Sequence, residues 1–248
     1  MRFSGKRALV TGAASGIGHA VRAALTREGA EVLAADISFP STDAASNTFH
    51  LDVSNEDDWE QLAAKMASLD VMVASAGISD AKPIADTSLA DWRRVLAVNL
   101  DGAFLSIKYG STAMQQRSGG VIVLVSSASG IKTCPGASAY CAGKAGVRML
   151  VKAAALELKP EGIRVNCVSP GGVVTPMWKN MPFWRDLLEK HGGEEGAWKA
   201  LGGAERDTPS IQRMAFPEEV ASAILFLCSD EAAHITGADL VIDAGYSI

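Results

Sequence analysis

No stretch of the chain is apolar for long enough to cross a membrane, no two cysteines stand in CxxC spacing, and no Pro/Gly/Ser-rich linker divides the sequence. The first absence argues against a membrane-spanning helix. The start, MRFSGKRALVTG, moves from a polar turn into a strand-like run without an apolar leader, so a cytoplasmic protein with no membrane partner is expected. The second makes Cys134, Cys141, Cys167 and Cys228 small reduced side chains rather than zinc ligands or a disulfide framework. His19, His50, His191 and His234 lack the paired spacing of a metal site, and no metal is expected. Basic residues are in deficit as well: a net charge of -5 disfavours nucleic acid and anionic bilayers as partners. With no linker, the 248 residues read as one domain, and 48% hydrophobic against 21% charged residues leaves enough apolar side chains for a sizeable core.

What is present is an alternation of short apolar runs and helical periods. Arg7 to Thr11 reads as a buried strand. A glycine-rich turn holding Gly12, Ser15, Gly16, Ile17 and Gly18 follows, and Ala20, Val21, Ala24 and Leu25 then recur at helical period up to Gly29. Strand, glycine turn and helix open a βαβ unit. Its glycines admit close backbone approach, and its helix N-terminus offers unpaired N–H groups to a pyrophosphate. The next strand, Glu31 to Ala35, runs into Asp36, 18 residues past Gly18, where an acid bonds the adenosine ribose hydroxyls of a dinucleotide. An acid there repels a 2'-phosphate, and neither Ser15 nor Ile37 supplies a compensating cation, so NAD is expected over NADP.

Further strands are expected at Thr48 to Leu51, Asp70 to Ala74, Val121 to Val125, Ile163 to Val168 and Leu240 to Ile242. Asp52 and Val53 form a loop that either approaches the adenine or, through Asp52, caps a helix around Glu56 to Ser68. Ser75, Ala76 and Gly77 place small residues at a strand's carboxyl end, beside the cofactor. Helical patterns fill roughly Ser88 to Gln116, where the polar Asn99 among Val95, Leu96, Val98 and Leu100 is either a helix-bending hydrogen bonder or part of a site. Helices are also expected from about Ser138 to Lys159 and from Glu218 to Cys228. Pro170-Gly171-Gly172 breaks the sixth strand into a long segment reaching about Gln212, in which only Phe183 to His191 looks helical. Six strands alternating with helices, plus a seventh, imply an α/β doubly wound, Rossmann-like domain over 1–248. Its seven-stranded parallel sheet carries helices on both faces and a lid at about 175–213.

Chemistry concentrates between Ser126 and Lys144. Tyr140 and Lys144 stand four residues apart on one helix and so share a face. A tyrosine with a pKa of roughly 10 is a poor base at neutral pH, and a neighbouring fixed cation is expected to favour its phenolate. The stretch is therefore a candidate acid-base centre.

With these residues in place, the sequence resembles the short-chain dehydrogenase/reductase family over nearly its whole length. The glycine pattern TGxxxGxG is met by Thr11, Gly12, Gly16 and Gly18, and Ser127 stands thirteen residues before the Y-x-x-x-K of Tyr140 and Lys144. By resemblance, Asn99 is the fourth catalytic residue, holding a water that relays protons from Lys144. Pro170, Gly171, Val173 and Thr175 fall in the segment that contacts the nicotinamide carboxamide. Three positions depart from the family pattern: Ser75 replaces Asn, Gly143 replaces Ser, and Asp243-Ala244-Gly245 replaces Asp-Gly-Gly.

The residue chemistry and the resemblance agree on hydride transfer between a small-molecule secondary alcohol or ketone and NAD. Tyr140 is the general base or acid, and Lys144 lowers its pKa and holds the nicotinamide ribose. Ser127 donates to the substrate oxygen. Met177, Trp178, Met181, Phe183, Trp184 and Trp198 in the lid suggest an apolar or cyclic substrate, or else dock the lid and fill a subunit interface. The resemblance implies a homotetramer built on helices at about Asp101 to Gln116 and Ser138 to Lys159. Two other classes stay open: an NADPH-dependent ketoreductase acting on an acyl thioester, and a non-catalytic NAD-sensing protein on the same fold.

Overall fold

Seven strands, β1 (Arg7–Thr11), β2 (Glu31–Asp36), β3 (Thr48–His50), β4 (Val71–Ala74), β5 (Gly120–Val125), β6 (Ile163–Pro170) and β7 (Asp239–Ile242), pair in parallel in the order β3-β2-β1-β4-β5-β6-β7. The computed structural model describes residues 1–248 apart from Ala44, Ser118 and Ala204. Among the described residues no helix is long and apolar enough to cross a membrane. From β1 the chain winds outward to β3, then returns to β4 on the other side of β1. The carboxyl ends of β1 and β4 therefore flank the point where strand order reverses, the place where open parallel sheets leave a crevice for a ligand.

Successive side chains of a strand leave opposite faces, so a sheet covered on both sides is apolar at nearly every position. Leu9, Met72, Ile122, Leu124, Val165 and Cys167 enter one core, which also holds residues of α2 (Glu56–Ala63), α4 (Gly102–Gln115) and α5 (Ser138–Leu158). Ala8, Val10, Val71, Val73, Val121 and Val123 enter the other, against α1 (Gly16–Arg27) and α9 (Pro217–Cys228). Each buried aliphatic side chain contributes about 1.5–3 kcal/mol, so shifting a central strand by one residue would cost packing on both faces at once. Helix α5 buries Val147, Val151, Ala154 and Ala155 at helical spacing, and the 3-10 turn that follows it, Lys159–Glu161, ends where Gly162 turns left-handed at φ 72°. Pro217 opens α9, with the Glu219 carboxylate accepting the Phe216 N–H at 2.7 Å.

Several boundaries differ from the sequence expectation. The helical region expected at Ser88 to Gln116 is α3 (Leu89–Leu96) and α4 joined by a π-helical turn, Ala97–Asp101, that carries Asn99. Helix α2 stops at Ala63, short of Ser68. Strand β6 continues through Pro170, because Gly171 N–H still reaches the Ile242 carbonyl at 2.9 Å. The long segment after it is largely helical: α6 (Pro176–Lys179), α7 (Trp184–Lys190) and α8 (Glu194–Ala200). Glycines on both sides of Glu194 and Glu195 hid α8, which holds its place by burying Ala197 and Trp198.

Candidate active site

The turn after β1 is packed so tightly that side chains have no room. A Cβ on Gly12, at φ 66°, would lie 2.8 Å from Ala76 N, and one on Gly18 would lie 2.1 Å from the Gly12 carbonyl oxygen. Thr11 Oγ1 accepts from the N–H groups of Ser75 (3.2 Å) and Ala76 (3.4 Å), tying this turn to the end of β4. The two N-termini nearby are treated differently. Asn55 caps α2 by accepting from Asp57 N at 3.0 Å, and Glu56, Asp57 and Asp58 fill its first turn. Ser15 precedes α1 with no side-chain cap bond, and the turn of Gly16, Ile17 and Gly18 carries no acid. The α1 terminus thus keeps its N–H groups and positive dipole end for an anion, which fits a dinucleotide pyrophosphate.

Asp36 closes the edge of this cradle. Its carboxylate accepts from Ala14 N (3.0 Å), Ser38 N (2.9 Å) and Ser38 Oγ (2.7 Å), while the next side chain, Ile37, is exposed. Across the crevice, Thr175 Cγ2 would lie 3.3 Å from a Cβ on Gly16, so the segment that follows Pro170 and Gly171 meets the glycine turn at Thr175. Val173 is buried, pairs with Ala215 in a short bridge, and accepts from Trp178 Nε1 at 2.8 Å. Asp52 is not the cap of α2: Asn55 is, and Asp52 accepts from Ser54 N (2.9 Å) and Ser54 Oγ (2.7 Å) instead. Val53 is buried against Gly102, and its carbonyl accepts from Trp59 Nε1 at 3.0 Å.

Ser127 leaves the end of β5 with its Oγ accepting from Ser129 N at 3.1 Å. The loop is fastened to α5 and β7 by Ser126 and by two groups the sequence reading did not single out, Arg148 and Asp239. Ser126 Oγ donates to the Lys144 carbonyl at 2.9 Å, and Arg148 donates to the Gly130 carbonyl at 3.0 Å and to Asp239, which also accepts from Ser169 Oγ at 2.6 Å. One signal was available: Arg148 lies one turn beyond Lys144 on the same helix, and a charge facing a site needs a partner.

Tyr140, half-buried in the first turn of α5, and Lys144, only 4% exposed, do share a face: the ammonium lies 5.7 Å from the phenol ring centroid. The electrostatics differ from expectation. Lys144 Nζ donates to the Val125 carbonyl at 2.8 Å, and burial lowers its pKa to about 8. Burial raises the Tyr140 hydroxyl above its ordinary value, and the group that draws it down is the Ser127 hydroxyl rather than Lys144. Desolvation outweighs the neighbouring cation.

Asn99 takes the first of the two roles the sequence left open, that of a helix-bending hydrogen bonder. Its Oδ1 accepts from Ile78 N at 3.1 Å and its Nδ2 donates to the Ile78 carbonyl at 2.7 Å, which holds the widened turn against the end of β4. A Cβ on Gly77 would stand 2.9 Å from Asn99 Oδ1 and 3.4 Å from Lys144 Nζ. A narrow cavity lined by Thr11, Ala76, Asn99, Ser106 and Lys144 lies between them. Single π-helical turns of this kind recur at functional sites, where they redirect one side chain out of the helix register.

The aromatic side chains expected in a lid pack on one another. Trp184 and Trp198 meet with centroids 4.9 Å apart and share a small core with Ala197 and Met214, bordered by Trp178, Leu187, Leu188 and Leu201. These side chains stabilise the segment that carries them, so their apolar character does not by itself point to an apolar substrate.

A family described as Enoyl-(Acyl carrier protein) reductase matches residues 12–247. The chain is 37% identical to the cyclopentanol dehydrogenase of Comamonas sp. (strain NCIMB 9872), covering 99% of this chain and 98% of that one. It is 38% identical to the cis-4-hydroxycyclohexanecarboxylate dehydrogenase of Sinomonas cyclohexanicum, with the same coverage of 99% and 98%. Among solved structures, the ligand-free aldohexose dehydrogenase (AldT) of Thermoplasma acidophilum superimposes with a TM-score of 0.84 at 33% identity, over 98% of this chain and 94% of that one.

Proposed function

The chain belongs to the short-chain dehydrogenase/reductase family and is a short-chain alcohol dehydrogenase acting on CH–OH donors; from that premise we propose an NAD-preferring enzyme that interconverts a cyclic secondary alcohol and its ketone. The observation that carries the reading is the meeting of Ser127, Tyr140 and Lys144 beside β5, in the crevice faced by the open N-terminus of α1. Gly12, Gly16, Gly18, Ala76 and Gly77 would hold the dinucleotide by close backbone approach, with Asp36 on the adenosine ribose. Bound there, the nicotinamide supplies the hydride acceptor or donor. Ser127 donates to the substrate oxygen and stabilises alkoxide character. Tyr140 returns a proton in reduction and removes one in oxidation. With its hydroxyl raised by burial, Tyr140 rests protonated, ready for the reductive direction. Lys144, charged at neutral pH, supports the phenolate once it forms, and Asn99 holds the proton path beside it.

The substrate class rests on the relatives named for cyclopentanol and cis-4-hydroxycyclohexanecarboxylate. A second reading, a sugar alcohol or aldose, is favoured by the structural likeness to an aldohexose dehydrogenase. Segment 175–213 serves as the lid, closing on the short bridge between Val173 and Ala215. Phe104 on α4 and Met149 and Leu156 on α5 are exposed large apolar side chains, consistent with a homotetramer joined through these helices. Initial rates over cyclic, aromatic and sugar alcohols with each cofactor test the proposal. The expected result is turnover of a cyclic alcohol with kcat/KM at least about tenfold higher for NAD, a difference of ~1.4 kcal/mol. Comparable kcat/KM with NADP overturns the Asp36 assignment, and NAD binding without turnover across the panel favours a sensing role.

A further inference from the structure

The loop between Ser127 and Tyr140 carries two thiols that the acid-base chemistry leaves unused. Cys134 is exposed, whereas Cys141, the residue after Tyr140, is buried at the start of α5. Thr133 brings the loop onto the helix: its Oγ1 donates to Cys141 Sγ at 3.3 Å, which sets Cys134, the next residue, beside the first turn of α5. Partial desolvation of the Cys134 thiol, and after it the Cys141 thiol, raises its pKa, and both thiols act to raise the Tyr140 hydroxyl in turn. Pro135 and Gly136, the latter at φ 82°, form an irregular turn between the pair. Cys167 and Cys228 are buried in the two main cores, far from solvent.

We infer that Cys134 and Cys141 form a reversible intramolecular disulfide by exchange with a low-molecular-weight disulfide, and that its closure displaces Tyr140. The Cys134 thiolate attacks one sulfur of the reagent RSSR, forming Cys134–S–S–R and releasing RS⁻. Cys141, as its thiolate, then attacks Cys134 Sγ, forming the Cys134–Cys141 bond and releasing the second RS⁻. Two protein thiols are oxidised while one reagent disulfide is reduced to two thiols. A disulfide needs Cβ atoms about 3.5–4.5 Å apart and a dihedral near 90°, so the exposed loop must close onto the first turn of α5. Cys141 follows Tyr140 directly, and the phenol shifts with that turn. The disulfide stands independently of any activity, whereas its effect on turnover rests on the role proposed for Tyr140.

Reduced full-length protein is incubated with glutathione disulfide at mildly alkaline pH, quenched with iodoacetamide, and examined by intact mass and peptide mapping. The expected result is a mass about 2 Da lower with a Cys134–Cys141 linked peptide, reversed by dithiothreitol and absent from Cys134→Ser. Displacement of Tyr140 is read from the ultraviolet phenolate titration of the protein minus that of Tyr140→Phe: freed from burial, the phenol titrates closer to its ordinary value of roughly 10. Activity against an alcohol that is turned over falls at least tenfold and recovers on reduction. A stable glutathione adduct on Cys134, or unmodified protein, overturns the disulfide. A formed disulfide with an unchanged Tyr140 titration overturns the displacement, and neither readout depends on having found the substrate.

Discussion

Replacing Lys144 by Met is expected to stabilise the protein while abolishing the proposed chemistry. The ammonium is 4% exposed, and burial lowers its pKa from 10.5 to about 8. An amine whose folded pKa lies below its unfolded one opposes folding whenever it is charged. Below about pH 8 both states hold the proton and the full penalty applies; between there and the unfolded value of 10.5 the unfolded chain holds a proton the native state has shed, so stability rises with pH. Each tenfold weakening of proton affinity on folding corresponds to ~1.4 kcal/mol, so the penalty near pH 7 is roughly 3 kcal/mol. Met keeps the length of the side chain but leaves the Val125 carbonyl, 2.8 Å from Nζ, without its donor. That loss costs about 1–2 kcal/mol. A net gain of roughly 1–2 kcal/mol remains, which raises Tm by about 2–6 °C in a chain of this size. Urea unfolding of both proteins near pH 7 and near pH 9.5 measures it, and the advantage of the variant should shrink by roughly 2 kcal/mol at the higher pH. A variant less stable than the parent at neutral pH, or an advantage indifferent to pH, would refute the argument that burial of the charge dominates.

Tyr140→Phe should lower kcat by well over tenfold, the equivalent of ~1.4 kcal/mol in barrier; retention of activity within that factor removes Tyr140 from the acid-base role. For Ser127→Ala a loss of roughly 10²-fold in kcat is expected, as for an oxyanion donor, with a circular dichroism spectrum like that of the parent. Ala244 sits at φ 52°, where an L residue is strained, so Ala244→Gly should stabilise by about 0.5–1 kcal/mol in urea once the greater freedom of unfolded glycine is subtracted. Gly18→Ala places a methyl 2.1 Å from the Gly12 carbonyl, and loss of NAD binding by calorimetry together with at least about 2 kcal/mol of stability is expected; near-parental binding would show that the turn can open.

Local pattern was enough to read the strands, because a sheet buried on both faces leaves short apolar runs at β1, β4 and β5, and the turn between β1 and α1 declares itself by glycines whose missing side chains are an excluded-volume requirement. The pairing of Tyr140 with Lys144 was legible for the same kind of reason, since helical spacing alone sets which side chains share a face. The failures lie where the deciding forces are not local. Whether α8 forms, and that the tryptophans after β6 cover each other, depends on burial of Trp184 against Trp198 across fourteen residues of chain. Asn99 takes its conformation from Ile78 on another element, and the Ser127 loop from Arg148 and Asp239. The direction in which the Tyr140 pKa moves was decided by desolvation, a property of everything packed around the phenol, so sequence alone determined that Tyr140 and Lys144 share a face, and only the tertiary structure determined how tightly each holds its proton.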